Sequence, residues 1–380
     1  MQIERLIIED FRNYHQCDLL VNPGLNILVG RNAQGKTNLL ESIHFLSTGR
    51  SHRTNNQADL IRWDAAGFFL HATVIKRNVS VTIDFHLSRD RQRLLKINGL
   101  HENKLSHLLG VLNSVIFDPD DLQLLKGPPA LRRRFLDVEI SQVSQRYLYA
   151  LQQYNRVLAQ RNMILKSAVT KASRANLEVW TEQLVSFGAR ILAMRRQALS
   201  SLEGYATHNL TDISDGSEKF QLCYHPFGKK IQIGTQEETI RQQFWEMIRK
   251  EREQEYQRRQ SLVGPHRDDF ACLVNDVDVR EFGSQGQQRS CVLALKLAEL
   301  EYMHDMTGDY PVLLLDDVLS ELDERRRAAL LSRVDRGVQT FITGTEASLF
   351  AGLQDKSALI GEIEEGRLSI VSSHRVLEGS

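Results

Sequence analysis

The chain lacks most of the features that would assign a protein to a special environment. Cysteine is scarce: Cys17, Cys223, Cys272 and Cys291 are the only four in 380 residues. They stand far apart, with no CxxC pair and no His/Cys cluster at metal-ligand spacing. A disulfide scaffold and a zinc module are thereby excluded, and a reduced, cytoplasmic compartment is expected. An excess of one charge is also missing, since Lys+Arg and Asp+Glu number 48 each. That removes any global electrostatic argument for nucleic acid and confines a DNA surface to local patches. No apolar run approaches the roughly 20 residues that cross a bilayer. Met1-Gln2-Ile3-Glu4-Arg5-Leu6 has no basic segment leading into an apolar one, so no membrane association is expected. The 12 histidines are scattered, and none is assigned to a metal. What remains, 42% hydrophobic and 25% charged, is the composition of a soluble globular protein of two or three domains with room for a substantial core.

Against this plain background one segment carries chemistry. Gly30-Arg31-Asn32-Ala33-Gln34-Gly35-Lys36-Thr37 follows the apolar run Leu25-Asn26-Ile27-Leu28-Val29, so a glycine-rich loop leaves a strand and opens a helix. Gly30 and Gly35 let backbone N–H groups approach phosphate oxygens where a Cβ would intrude. Lys36 is placed to bridge the β- and γ-phosphates of ATP, Thr37 to ligate Mg2+, and the helix N-terminus to add its dipole.

The other half of such a site lies beyond residue 280. Val312-Leu313-Leu314-Leu315-Asp316-Asp317 is a buried-strand pattern ending in two carboxylates, the form of a magnesium-holding strand end. Asp316 would hold the metal through its water shell, and Asp317 would orient the attacking water. Upstream, Ser284-Gln285-Gly286-Gln287 opens a helix and offers a second anion site, although by itself SxGQ is an ordinary helix cap. Ser320-Glu321-Leu322-Asp323 follows the carboxylates at short spacing.

Between the two halves the hydrophobic period changes. Gln2 to Ile8 alternates as a strand, and Val21 to Val29 supplies a second with Asn22-Pro23-Gly24 as its turn signal. Phe68 to Ile75, Val79 to Leu87 and Arg93 to Ile97 predict a strand meander closed by Asn98-Gly99. From Ser141 to Leu202 the steps are three and four: Tyr147, Leu151, Tyr154 and Leu158, then Trp180, Leu184, Phe187, Ile191 and Met194. Lys171-Ala172-Ser173-Arg174 separates the runs, which predicts an antiparallel helical hairpin. A third helical run, Glu237 to Gln260, carries Ile240, Phe244 and Met247 on one face and a mixed-charge, solvated stretch from Arg249 to Arg259. The expected division is therefore a discontinuous head, 1–110 with 261–380, interrupted by a helical arm at 111–260.

In this order the motifs resemble the ATP-binding-cassette class of ATPases, within the branch of the SMC proteins. Two further stretches narrow the resemblance. PDDLQLLKGPPALRRRFLD from Pro119 to Asp137 and Gly264-Pro265-His266-Arg267-Asp268-Asp269 closely resemble signatures of the RecF family of bacterial recombination-repair ATPases, and the likeness covers the chain almost end to end. It implies an α/β fold, an SMC-like P-loop head with mixed sheets and an inserted helical arm. It also implies an ATP-dependent homodimer in which Ser284, Gly286 and Gln287 of one protomer cap the nucleotide held by the other. DNA binding at duplexes, gaps or junctions is implied too, together with RecO and RecR as partners in loading RecA, and a role in replication and the SOS response. An ATPase subunit of a membrane transporter is the alternative, since it shares the phosphate loop and the serine-glycine segment.

Departures from the wider class point to slow, DNA-stimulated hydrolysis that acts as a switch. Asp317 replaces a longer glutamate, Phe341-Ile342-Thr343-Gly344-Thr345 carries no histidine, and the magnesium-contacting glutamine has no evident counterpart. For DNA the basic candidates are Arg50, His52 and Arg53, and Arg132, Arg133 and Arg134. Successive residues of a helix point in different directions, so at least one of the three latter arginines is expected to pair with the Asp120 or Asp137 region. His266-Arg267-Asp268-Asp269 reads as a structural brace. Arg12 and Asn13 are expected to approach the nucleotide.

Overall fold

The computed structural model describes residues 1–380 except 168–170, 335–336, 346–349, 351–357 and 374–380. The chain opens with β1 (Gln2–Phe11), β2 (Tyr14–Leu20), β3 (Leu25–Val29) and α1 (Lys36–Thr48). The meander β4 (Gly67–Lys76), β5 (Val79–Ser88), β6 (Arg93–Ile97) and β7 (Leu100–Glu102) follows, and then β8 (Ser114–Phe117). Next come α2 (Gln123–Lys126), α3 (Pro129–Val143), α4 (Gln145–Lys166), α5 (Lys171–Ile213), β9 (Phe220–His225), α6 (Glu237–Arg258), β10 (Asp269–Val274), β11 (Val277–Asp278), α7 (Val279–Phe282) and α8 (Gln285–Thr307). The chain ends with β12 (Val312–Leu315), α9 (Glu324–Val334), β13 (Thr340–Gly344), β14 (Ala358–Glu364) and β15 (Arg367–Ser373).

Two compact units result, Met1–Asp121 with Glu299–Ser380, and Leu122–Ala298. The insertion thus ends near 298, not near 260. The reason is pairing: β10 lies antiparallel to β9 with Asp269 opposite His225 and Val274 opposite Phe220, which ties the 261–298 stretch to the helical unit. Only an alignment of two strands 49 residues apart decides this, and neither strand has a strong local signature.

The first unit holds two six-stranded sheets. One is antiparallel in the order β2-β1-β4-β5-β6-β7, and the other runs β15-β14-β3-β13-β12-β8, parallel apart from β15. In β1 the inward residues Ile3, Leu6, Ile8 and Phe11 are buried, and a register shift between Ile3 and Arg5 restores the alternation after Glu4. Phe11, Phe45, Phe68 and Phe85 pack edge-on or tilted at centroid distances of 4.9–5.9 Å, between the antiparallel sheet and α1. β12 is apolar at every position because parallel strands are covered on both faces, and Val312 to Leu315 are all 0% exposed. Each such side chain contributes roughly 2 kcal/mol of burial. The second strand expected over Val21–Val29 starts at Leu25, because Asn22 folds the preceding turn: its Oδ1 accepts from Gly24 N at 2.8 Å.

In the second unit α4 and α5 form the expected antiparallel hairpin. Arg161 of α4 reaches Thr181 of α5 (3.0 Å), and Tyr147 at the start of α4 meets Arg195 near the middle of α5 (2.9 Å). α6 turns Ile240, Phe244 and Ile248 inward, so the buried stripe runs through Ile248 instead of Met247.

Charged residues from separate stretches of this unit build one buried network. Asp268 is 0% exposed and accepts from Arg195 Nη1 (2.7 Å), Tyr224 Oη (2.5 Å) and Phe227 N (2.8 Å). Arg195 also donates to Asp137, Tyr147 and the Pro265 carbonyl. Burial pushes the Asp268 carboxyl up to about 6 against the pull of Arg195, Tyr224 and Phe227. Burial lowers the His266 pKa to about 4 and so keeps the ring neutral, with Nε2 donating to the Ser261 carbonyl and Nδ1 accepting the Tyr154 hydroxyl (2.6 Å). The brace expected at His266–Asp269 is thus seen in atomic terms.

Candidate nucleotide site

The parallel sheet brings the motifs to one edge. Leu315 is in register with Phe117 on one side and Ile342 on the other, and Gly344 with Val29. The loop Gly30–Thr37, the carboxylates Asp316 and Asp317, and Thr343 therefore all lie at the carboxyl ends of neighbouring strands, where α/β sheets bind ligands.

The loop is held by the protein on both flanks. Asn13 Nδ2 donates to the Gln34 carbonyl (2.8 Å), Tyr14 Oη to the Gly35 carbonyl (3.1 Å), and Asn38 Nδ2 to Asn13 Oδ1 (2.8 Å). From the other side the β14–β15 turn donates Gly366 N to the Gln34 carbonyl (2.9 Å) and Glu365 N to Gln34 Oε1 (2.7 Å). The glycines serve these contacts as well as any ligand. A Cβ on Gly30 would lie 2.4 Å from the Ile363 carbonyl oxygen, and Gly35, at φ 120°, would meet the Asn13 amide at 2.8 Å. Ala33 also takes a positive φ of 65°. Arg31, Asn32 and Ala33 are exposed at the rim. Lys36 is buried and its Nζ donates to the carbonyls of Gly30 (2.7 Å) and Arg31 (3.0 Å), so the ammonium is aimed into the loop's concavity. α1 has no side-chain cap and no acidic residue in its first turn, which leaves its N-terminal N–H groups to an anion.

The two halves of the site touch at Asp316. Its Oδ1 accepts from Thr37 Oγ1 (3.0 Å) and Thr343 Oγ1 (2.9 Å), and Thr343 Oγ1 in turn accepts from Asp317 N (2.8 Å). Burial raises the Asp316 pKa, opposed by the two threonine hydroxyls and by His52. Thr37, Thr343 and Asp316 offer oxygen atoms alone, a hard donor set suited to Mg2+. Asp317 stands in the left-handed region at φ 54°, turning the chain sharply after its neighbour. Thr343 orders the carboxylate pair.

One ion-pair cluster of this site escaped sequence reasoning. Glu41 is 0% exposed in α1 and accepts from Arg12 Nε (2.8 Å), Arg12 Nη2 (2.7 Å) and Ser51 Oγ (2.5 Å), with Arg53 Nη1 3.7 Å away. The arginine and serine bonds hold its pKa below the usual range despite burial. The signal was the single carboxylate in α1. Arg53 also donates to Asn38 Oδ1 (2.9 Å), and Arg50 is exposed. His52 has a buried Nδ1 without a partner among the described residues. Burial lowers its pKa against the pull of Asp118, Glu41 and Asp316.

The Ser284–Gln287 segment belongs to the second unit and forms a reciprocal capping box. Ser284 Oγ accepts from Gln287 N (3.2 Å), and Gln287 Oε1 accepts from Ser284 N (3.1 Å), at the exposed start of α8. Gly286 lies in the first turn of the same helix. Arg132 requires a correction. It is 2% exposed, paired with Asp269 through Nε (2.6 Å) and Nη2 (3.0 Å), and its Nη1 serves the carbonyls of Leu124, Leu125 and Gly127. Buried and engaged at all three nitrogens, the guanidinium is withdrawn from a DNA phosphate, and the pairing partner is Asp269 in place of the expected Asp120 or Asp137. Arg133 is half-buried, with Nη1 on the Asp268 carbonyl (2.8 Å).

The family described as RecF/RecN/SMC N terminal domain matches residues 2–364. A protein of Symbiobacterium thermophilum named DNA replication and repair protein RecF is 46% identical over 346 residues, 91% of this chain and 92% of that protein. A protein of the same name from Halalkalibacterium halodurans is 42% identical over 371 residues, 97% and 99% of the two chains. Among solved structures, one described as the recombination mediator protein RecF-ATP in the RecFOR pathway superposes with a TM-score of 0.89 at 33% identity, covering 98% of each chain. A Pyrococcus furiosus Smc head domain, at 15% identity and a TM-score of 0.55, shares the fold.

Proposed function

The chain belongs to the RecF/RecN/SMC family, and on that premise we propose that it is an ATP-switched DNA-binding protein of replication and recombinational repair. The carrying observation is the junction of Thr37, Asp316 and Thr343, which joins the phosphate loop to the carboxylate strand. Lys36 and the α1 N-terminus bind the phosphates, and Thr37 and Asp316 hold Mg2+, which neutralises charge on the phosphates when bound. Asp317 orients the attacking water. Its short side chain, with Thr343 turned to Asp316, suits slow hydrolysis.

In this reading ATP joins two protomers, with Ser284, Gly286 and Gln287 of each capping the nucleotide of the other, and the dimer clamps DNA at a duplex, gap or junction. Arg50 and Arg53 contribute phosphate contacts. By analogy with the RecFOR pathway named for its relative, it acts with RecO and RecR to load RecA at gaps in the cytoplasm and thereby supports SOS induction. No helix among the described residues is long and apolar enough to cross a membrane. The relatives at 42–46% identity favour repair over transport. Steady-state ATP turnover with and without a gapped duplex tests the proposal. Slow turnover stimulated by DNA and abolished by Lys36→Arg is expected, and turnover indifferent to DNA would oppose it.

A further inference from the structure

One group at the end of the antiparallel sheet has no part in the nucleotide site. Trp63 is 86% exposed, more than any other large apolar side chain among the described residues. Leaving an indole in water forgoes the burial that such a side chain normally gains, about 2 kcal/mol or more. Its backbone is nonetheless fixed. Ala65 N donates to the Arg62 carbonyl (3.1 Å), closing a tight turn with Trp63 and Asp64 at its centre and Asp64 at φ 65°. Arg62 anchors one side, with its N on the Asp10 carbonyl (2.8 Å) and its Nε on Asp10 Oδ1 (2.7 Å). Arg89, from the β5–β6 turn, clamps the other: its N bonds to the Ala66 carbonyl (2.8 Å), Nε to that of Ala65 (2.5 Å) and Nη2 to that of Arg62 (3.3 Å). A side chain on so braced a turn can be held by a ligand at little further cost in backbone entropy.

The surroundings select the ligand. The two turns expose Arg89, Arg91 and, at the start of β6, Arg93, against Asp64 and Asp90. Arg62 is paired with Asp10, whereas Arg91 and Arg93 are exposed. A protein-docking face would gather apolar neighbours around the indole. Here the neighbours in both turns are Arg62, Asp64, Ala66, Arg89, Asp90 and Arg91. An exposed flat ring on a turn that Arg89 ties to the arginine-bearing β5–β6 turn matches one unpaired base stacked on the indole with its adjacent phosphates on the guanidiniums. Away from its ends a duplex keeps its base faces covered and offers this ring nothing to stack on.

We propose that Trp63, with Arg91 and Arg93, forms a contact site for the unpaired bases of single-stranded DNA, so that the protein senses the single-stranded side of a gap. The site rests on the DNA-binding reading above and adds to it which strand is read and where. A stacked base contributes about 1–3 kcal/mol, or about 5- to 150-fold in affinity. The test uses the full chain with Trp180→Phe and Trp245→Phe, which leaves Trp63 as the single tryptophan, titrated with oligo-dT and with a blunt duplex of equal length in the presence of ATP. Quenching by oligo-dT and not by the duplex is expected. In the otherwise unaltered chain, Trp63→Ala should weaken oligo-dT binding about 5- to 150-fold and leave duplex affinity unchanged. Arg91→Ala with Arg93→Ala should lower the salt dependence of oligo-dT binding. Equal oligo-dT affinity of Trp63→Ala and the wild type would overturn the proposal, as would equal weakening toward duplex and single strand. A wild-type chain that binds neither DNA would instead remove the reading on which the proposal stands.

Discussion

Replacing Glu41 by Gln isolates the cluster that ties the first turn of the chain to the nucleotide loop. The wild-type carboxylate is fully buried and accepts two bonds from Arg12, itself 19% exposed in its side chain, and one from Ser51. Glutamine keeps one acceptor, turns an N–H2 group toward the guanidinium and removes the negative charge. Breaking a buried pair by removing one partner costs about 3–5 kcal/mol, and the partial access of Arg12 to water places this case near 3. A change of that size in a unit of this length lowers Tm by roughly 6–12 °C. The cost also reaches the ligand, because Arg12, Asn13 and Tyr14 form one turn, and Asn13 and Tyr14 hold the carbonyls of Gln34 and Gly35. ATP affinity should fall together with stability. Denaturant unfolding and calorimetric ATP titration of Glu41→Gln, Arg12→Gln and the double variant give the coupling energy, expected at about 2 kcal/mol. Because the folded pKa of Glu41 lies below its ordinary value, its stabilisation is present above the unfolded pKa and is lost as pH falls through the folded one. The effect of the substitution should therefore be constant between pH 6 and 8. A variant within about 0.5 kcal/mol of wild type would refute the cluster's role.

Asp316→Asn removes a charge whose ionisation burial disfavours, while the amide oxygen still accepts from Thr37 and Thr343. The expected outcome is an apo protein at least as stable as wild type at pH 7, with ATP turnover reduced about a hundredfold or more; lost stability with retained turnover would contradict the assignment. His266→Gln keeps an acceptor for Tyr154 and a donor for Ser261. The wild-type ring has its folded pKa lowered from 6.5 to about 4, so the unfolded chain binds the extra proton between those values and wild-type stability is lost on acidification. Asp268, raised to about 6, acts with the opposite sign in the same window, so the difference between variant and wild type is the quantity to measure. It should shift toward the variant by about 3 kcal/mol from pH 7 to pH 4, and no shift would oppose the neutral, buried ring.

What could be read from sequence follows from how local each signal is. The loop Gly30–Thr37 and the run Val312–Leu315 are legible because glycine spacing and an unbroken apolar run are written in consecutive residues, even though what they contact lies far along the chain. The hairpin of α4 and α5 is legible through its period. The insertion's end near 298 depends on β9 pairing with β10, and Glu365 and Gly366 support Gln34 from more than 330 residues away, so no window of sequence contains either fact. Arg132 misleads for a related reason. Three consecutive arginines look like a surface, yet the middle of the fold supplies Asp269 and three carbonyls for the first of them. Ser284 reads as cap and as anion site at once, and its bond with Gln287 satisfies the first role without excluding the second.

The central claim is that ATP joins two protomers through the Ser284–Gln287 segments, and sedimentation of the wild type and of Ser284→Arg, each with and without ATP and Mg2+, tests it most directly. The account predicts a wild-type monomer that becomes a dimer with ATP, and a Ser284→Arg protein that binds ATP with near wild-type affinity yet stays monomeric. A variant that dimerises with ATP as the wild type does would contradict it.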